Sequence, residues 1–284
     1  MSKFPSEGSN SGRWPDPRPW PWRALARLDE RLRLSRVADG RRDLILLYHS
    51  VGGVDGSTYA WDVPTEVFRR QLELVTSRYE PVDLGQLCSE PQADRKRVAI
   101  TFDDGFRSVR NEALPILRAF GAPATVFLSP GLLGEENVGR FRERHGLPAT
   151  AGRAALTPAD VDALADEPSI RLGNHTLTHL ALSSVPDAES VVTEVVEGKR
   201  RLEERYGVTV DRFSYPYGAI DERAKEAVVD LHDLAVTSRP GLIRRPMDAY
   251  ALPRLDACQP AAVLGWEATD AGDSLRRLGR AFSA

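Results

Sequence analysis

The chain has 284 residues, 42% of them hydrophobic and 28% charged, with 38 Lys and Arg against 41 Asp and Glu. That length holds one large domain or two small ones with a sizeable core, and the composition excludes wholesale disorder and collagen-like or coiled-coil repeats. A formal net charge of −3 leaves no overall basic footprint for nucleic acid.

In chain order, residues 1–22 are rich in Pro, Ser and Gly and read as a disordered arm. The next stretch predicts a helix, with Leu25, Leu28 and Leu32 on one face and Arg23, Arg27 and Arg31 on another. Between Arg23 and Arg42 seven Arg face three acids, an excess of +4, and Trp14, Trp20 and Trp22 lie beside them. The expectation is a helix capping the domain, with peripheral contact to an anionic membrane as the alternative. The first 40 residues contain no continuous apolar signal segment, and the uncharged stretch 44–54 is far too short to span a bilayer, so a cytoplasmic location is expected. Cys88 and Cys258 cannot build a disulfide framework and read as core residues. The division is thus an N-terminal arm, 1–42, and one domain, 43–284.

From residue 43 onward, apolar runs at 44–48, 98–102, 124–128, 169–173, 212–216, 233–237 and 250–255 alternate with amphipathic stretches at 64–79, 110–120, 157–166 and 187–207. Such alternation predicts a parallel sheet, and seven strands in this length suggest a single closed α/β barrel. The segment 130–156 is expected to be an irregular loop over the barrel mouth.

Several runs end directly in polar residues: His49 after the first, Asp103 and Asp104 after the second, Asn174 and then His175 and His179 after the fourth, and Pro216-Tyr217-Gly218 after the fifth. In a parallel barrel the C-terminal strand ends converge on one rim, where these groups could meet. Taken singly, each signal is weak. Asp-Asp-Gly is most often a turn, and the His-x-x-x-His spacing, which would place two imidazoles on one helical face, is only sometimes a metal pair. His145, in a charged run, and His232 are read as structural. Together, two His and one carboxylate make a metal site with open positions, and the second Asp can serve as a base.

The motifs TFDDG (101–105), HTLTH (175–179) and FSYPYG (213–218), supported by LLYHSV (46–51), ALPILRAFGAPATVFL (113–128) and ALPRLD (251–256), resemble the polysaccharide deacetylases with a NodB-like domain, carbohydrate esterase family 4. The resemblance covers roughly 43–256 and implies a distorted (β/α)7 barrel. It implies Asp104, His175 and His179 as ligands of Zn²⁺ or another divalent transition metal, Asp103 as the base that deprotonates the attacking water, and the backbone N–H of Tyr217 as a donor to the oxyanion.

Two departures from the family pattern stand out. Ser214 occupies the place of an Arg that normally orients the catalytic Asp, and Arg254 is the expected substitute, with Arg212 expected to point elsewhere. No histidine follows His232, so the C-terminal motif that usually carries the general acid is missing. The chain looks like the branch in which the Tyr-His-Ser segment supplies it, which makes His49 the acid and His232 the fallback. The implied activity is metal-dependent removal of N-acetyl from an amino sugar in a glycan or glycan precursor. The rival readings are a catalytically silent glycan-binding barrel and a metal-dependent deacylase of a non-sugar amide or ester.

Overall fold

The computed structural model describes residues 42–53, 59, 61–89, 95–151 and 154–281. The expectations for the arm and its basic helix therefore lie, apart from Arg42, outside the described residues.

Each long apolar run becomes a parallel strand because it is apolar on both faces and flanked by helix-forming sequence. Strand β1 is Leu44–Tyr48, and the short strands β2 (Ser50–Val51) and β3 (Asp62–Val63) pair with one another. Helix α1, Thr65–Arg78, buries Phe68, Gln71, Leu72 and Val75 along one stripe. Strand β4 (Glu80–Pro81) and helix α2 (Leu84–Ser89) lead to β5, Arg97–Phe102. A π-helical turn, Val109–Ala113, runs into α3, Leu114–Phe120, which Gly121 ends in the left-handed region. Then come β6 (Ala124–Leu128), α4 (Val138–His145), α5 (Pro158–Ala165) and β7 (Ile170–Asn174). They are followed by α6 (Ala188–Tyr206), β8 (Arg212–Ser214), α7 (Glu222–Val229) and β9 (Leu234–Val236). The described chain closes with β10 (Leu255–Asp256), α8 (Ala261–Glu267) and α9 (Asp270–Ala281).

The sheet order is β10-β1-β5-β6-β7-β8-β9, with β4 added beside β5. All pairings are parallel, so every strand delivers its C-terminal end to the same rim. The segment around β10 draws the two edges together: Leu255 pairs with Leu46 of β1, and Leu252 bridges Val236 of β9. This is the curled parallel sheet of a distorted (β/α)7 barrel.

Three expectations are corrected. The run 250–255 is strand only at Leu255–Asp256, because Pro253 has no N–H to give a ladder. The segment 130–156 is not irregular throughout: it holds two 3₁₀ turns and α4, anchored by the buried Phe141. The pair His175 and His179 does not share a helical face, because Thr176 (φ 64°) and His179 (φ 58°) are both left-handed and the segment is a loop.

Candidate active site and metal centre

The rim residues converge. Phe102 ends β5, the Asp103 N–H donates to the Tyr48 carbonyl (2.9 Å), and the chain then turns through Asp104 (φ 75°) and Gly105 (φ 82°). The two adjacent carboxylates flank His175 Nε2, Asp104 at 3.4 Å and Asp103 at 3.9 Å. A Cβ on Gly105 would meet Leu128 and Leu133 at 2.9 and 3.1 Å. Four non-glycine residues have positive φ among those described, namely Asp104, Thr176, His179 and Tyr217, and all belong to the rim motifs. Strained backbone held by its surroundings is characteristic of functional sites.

Asp103 is buried and meets Arg254, which is buried on every side. Arg254 Nη1 donates to Oδ1 at 2.8 Å and Nη2 to Oδ2 at 2.7 Å. The remaining N–H groups of Arg254 go to the Thr237 carbonyl (2.9 Å), Thr101 Oγ1 (3.0 Å) and Ser214 Oγ (3.1 Å), which satisfies all of its donors. The Ser214 hydroxyl donates to Asp103 Oδ2 at 3.1 Å. A small side chain at 214 thus leaves room for a guanidinium arriving from the segment before β10. Burial is the largest influence on Asp103 and would raise its pKa; the charge and hydrogen bonds of Arg254, together with His175 and His49, outweigh it and hold the carboxyl below its ordinary value. Arg212 lies elsewhere, forked onto Asp83 at 2.6 and 2.9 Å.

Asp104 gathers imidazoles. His179 Nε2 is 3.1 Å and His175 Nε2 3.4 Å from its Oδ1, while His145 Nδ1 is 3.4 Å from its Oδ2. His175 Nδ1 donates to the Ser214 carbonyl at 2.7 Å, which leaves Nε2 with a lone pair facing Asp104. The loop carrying both histidines is tied to α6: the Thr178 N–H and hydroxyl donate to the two Glu194 oxygens at 2.9 and 2.7 Å. Asp104 Oδ1 is buried without a hydrogen bond of good geometry, although two imidazoles stand beside it. Imidazole nitrogens gathered about a buried carboxylate oxygen that lacks a hydrogen bond of good geometry suit a divalent cation, so these residues fit one.

One residue at this centre was missed in the sequence. Among the described residues, one donor atom each from Asp104, His145 and His179 lie within 4.8 Å of one another. Burial pushes the His145 imidazole down to about 3, so it stands there as a neutral ring. A signal did exist: Phe141 and His145 are four residues apart, one turn before the helix-ending Gly146 (φ 64°).

His49 follows β1, half-buried with its Nδ1 unpartnered, close enough to Asp103 and His145 to act on their charge. Tyr217 is half exposed (50%), its ring 4.8 Å from that of His179. His232 is elsewhere: it lies against Phe213 and near Asn174 Nδ2 (3.3 Å), beneath α6 and α7. Its contacts are with Phe213, Asn174 and Val228, not with Asp103 or Asp104.

Residues 90–233 match the sequence family described as polysaccharide deacetylase, about half of the chain. The chain belongs to that family. YxkH of Bacillus subtilis (strain 168), itself named as a candidate polysaccharide deacetylase, is 25% identical over 217 residues, 74% of this chain and 70% of that protein. Among solved structures, the Streptococcus pyogenes deacetylase PplD in complex with acetate superimposes with a TM-score of 0.62 at 22% identity, over 76% of this chain and 92% of that one. BC0361, a polysaccharide deacetylase from Bacillus cereus, gives 0.64 at 18% identity, over 78% and 67%. At these identities the likeness to this family member is one of fold. Among the described residues no helix is long and apolar enough to cross a membrane.

Proposed function

We propose that this family member is a metal-dependent deacetylase that hydrolyses the N-acetyl group of an amino sugar in a glycan or glycan precursor. The observation that carries this reading is the juxtaposition of a buried, Arg-held carboxylate with a carboxylate–imidazole cluster on one rim: Asp103 on Arg254, and Asp104 among His175, His179 and His145. Amide hydrolysis needs a base for water, charge stabilisation at the carbonyl oxygen, and an acid for the amine.

Asp104, His175 and His179 would hold a divalent cation, Zn²⁺ by the chemistry of the donors, which when bound supplies Lewis acidity toward the attacking water and the acetyl carbonyl. Asp103 accepts the proton of the water as its oxygen bonds to the acetyl carbon. Arg254 keeps that carboxylate ionised and oriented. The backbone N–H of Tyr217 donates to the carbonyl oxygen as negative charge grows there; one such donor is typically worth about 10²–10³ in rate. His49 gives a proton to the nitrogen as the C–N bond breaks, because an amine anion is a very poor leaving group. Acetate and the free amino sugar result.

The test is acetate release from Zn²⁺-loaded protein on chitooligosaccharides, poly-N-acetylglucosamine fragments and small N-acetylglucosaminyl glycosides. Release that disappears in Asp103→Asn supports the reading. Silence across the panel, or release unchanged in Asp103→Asn, overturns it.

A further inference from the structure

His145 takes part in the centre without belonging to any of the motifs that resemble the family. It is the last residue of α4, on a segment that the sequence reads as a loop over the mouth. Its ring lies tilted 4.4 Å from that of Phe141, 5.3 Å from Phe106 and 4.9 Å from the His179 ring. Phe141, fully buried, anchors the helix, and Gly146 ends it one residue later with its N–H turned back on the Glu143 carbonyl. The side chain is therefore held by packing on one side and faces Asp104 through Nδ1 on the other, while its Nε2 is buried with no hydrogen bond.

Donor atoms of Asp104, His145 and His179 lie within 4.8 Å of one another, and His175 Nε2 stands beside the same Asp104 oxygen as His179. His145 Nδ1 approaches Asp104 Oδ2 at 3.4 Å, while His175 and His179 approach Oδ1 at 3.4 and 3.1 Å. Atoms this close to one carboxylate can share a cation at ligand distances of about 2.0–2.1 Å.

We propose that His145 is a fourth protein ligand of the divalent cation, joining Asp104, His175 and His179. This rests on the metal-dependent reading above. A ligand from α4 ties the segment over the mouth to the site, so cation binding also fastens that segment. Three imidazoles favour a borderline transition metal over Mg²⁺ or Ca²⁺.

The experiment uses the full chain with Co²⁺ as spectroscopic probe. Affinity is measured by competition with a chromophoric chelator, and the visible d–d bands are recorded for the parent, His145→Phe, His145→Gln and His179→Phe. Phe retains the packing volume and removes the nitrogen; Gln serves where the metal-free melt of His145→Phe shows that it does not fold. The expected result is affinity at least tenfold weaker in the His145 variant and shifted d–d bands. Parent-like affinity and bands in a folded His145 variant, with loss in His179→Phe, would overturn this proposal alone. A parent chain that binds neither Co²⁺ nor Zn²⁺ would overturn the metal-dependent reading with it.

Discussion

Arg254 and Asp103 meet fork to fork, with both carboxylate oxygens bonded to two guanidinium nitrogens at 2.8 and 2.7 Å, Arg254 fully buried and Asp103 almost so. An isolated carboxylate there would be costly, and removing one partner of such a pair typically costs about 3–5 kcal/mol. Arg254→Met should therefore lower stability by several kcal/mol in urea unfolding, roughly on that scale. The double variant Arg254→Met, Asp103→Asn should recover much of the loss. Arg254→Lys should not rescue activity, because an ammonium cannot reproduce the fork. A single variant as stable as the parent would show that the pair is not what holds Asp103.

The proton-moving roles separate by variant. Asp103→Asn should abolish acetate release while leaving Zn²⁺ binding within a few fold, since Asp103 is not among the donors gathered around the metal site. His49→Ala should lower kcat by about 10²–10⁴, the usual worth of general catalysis, with little change in KM. The check is steady-state acetate release together with metal titration. A His49→Ala enzyme as fast as the parent would remove His49 from the mechanism.

The strand ends were legible because parallel topology turns sequence into position: an apolar run followed by Asp103-Asp104 or His175 must deliver those groups to one rim. The long amphipathic helices were legible for a similar local reason, α6 above all. His145 was not, since its role depends on α4 folding back over the mouth, and four neighbouring charges masked the Phe141–His145 spacing. The histidine loop was misread because His-x-x-x-His suits a helix, whereas Thr176 and His179 take left-handed φ only under tertiary constraint. Arg254 could be named as a partner for Asp103 from the empty place at Ser214, but not the further bonds to Thr101 and Thr237, which come from strands far apart in sequence.

Gly198 supports the metal loop from beneath. A Cβ there would lie 2.4 Å from Asn174 Oδ1 and 2.9 Å from the Thr176 carbonyl carbon. Backbone on one side and a buried amide on the other leave little to yield, and overpacking of this kind costs about 1–3 kcal/mol. Gly198→Ala should therefore lower the melting temperature and also weaken Zn²⁺ binding, because the loop that shifts carries His175 and His179. Gly139→Ala, on a helix with nothing within 4 Å of the added methyl, is the control: it should hold or slightly raise the melting temperature and leave Zn²⁺ binding unchanged. Equal behaviour of the two variants would sever the link between α6 packing and the site.

His232 sets an acid limit on stability away from the catalytic centre. Burial, helped by Lys199 and opposed by the Val228 carbonyl and Glu203, lowers its pKa from 6.5 to about 4. The unfolded chain then binds more protons than the folded one between about pH 6.5 and 4, so stability rises with pH through that window and is lost as pH falls through it. The full span of about 2.5 pKa units corresponds to roughly 3 kcal/mol as an upper bound. His232→Phe removes the titrating group and keeps a ring beside Phe213, at the cost of the contact to Asn174. Urea midpoints from pH 4 to 7 should climb for the parent more steeply than for His232→Phe. Parallel curves would place the acid sensitivity in another group.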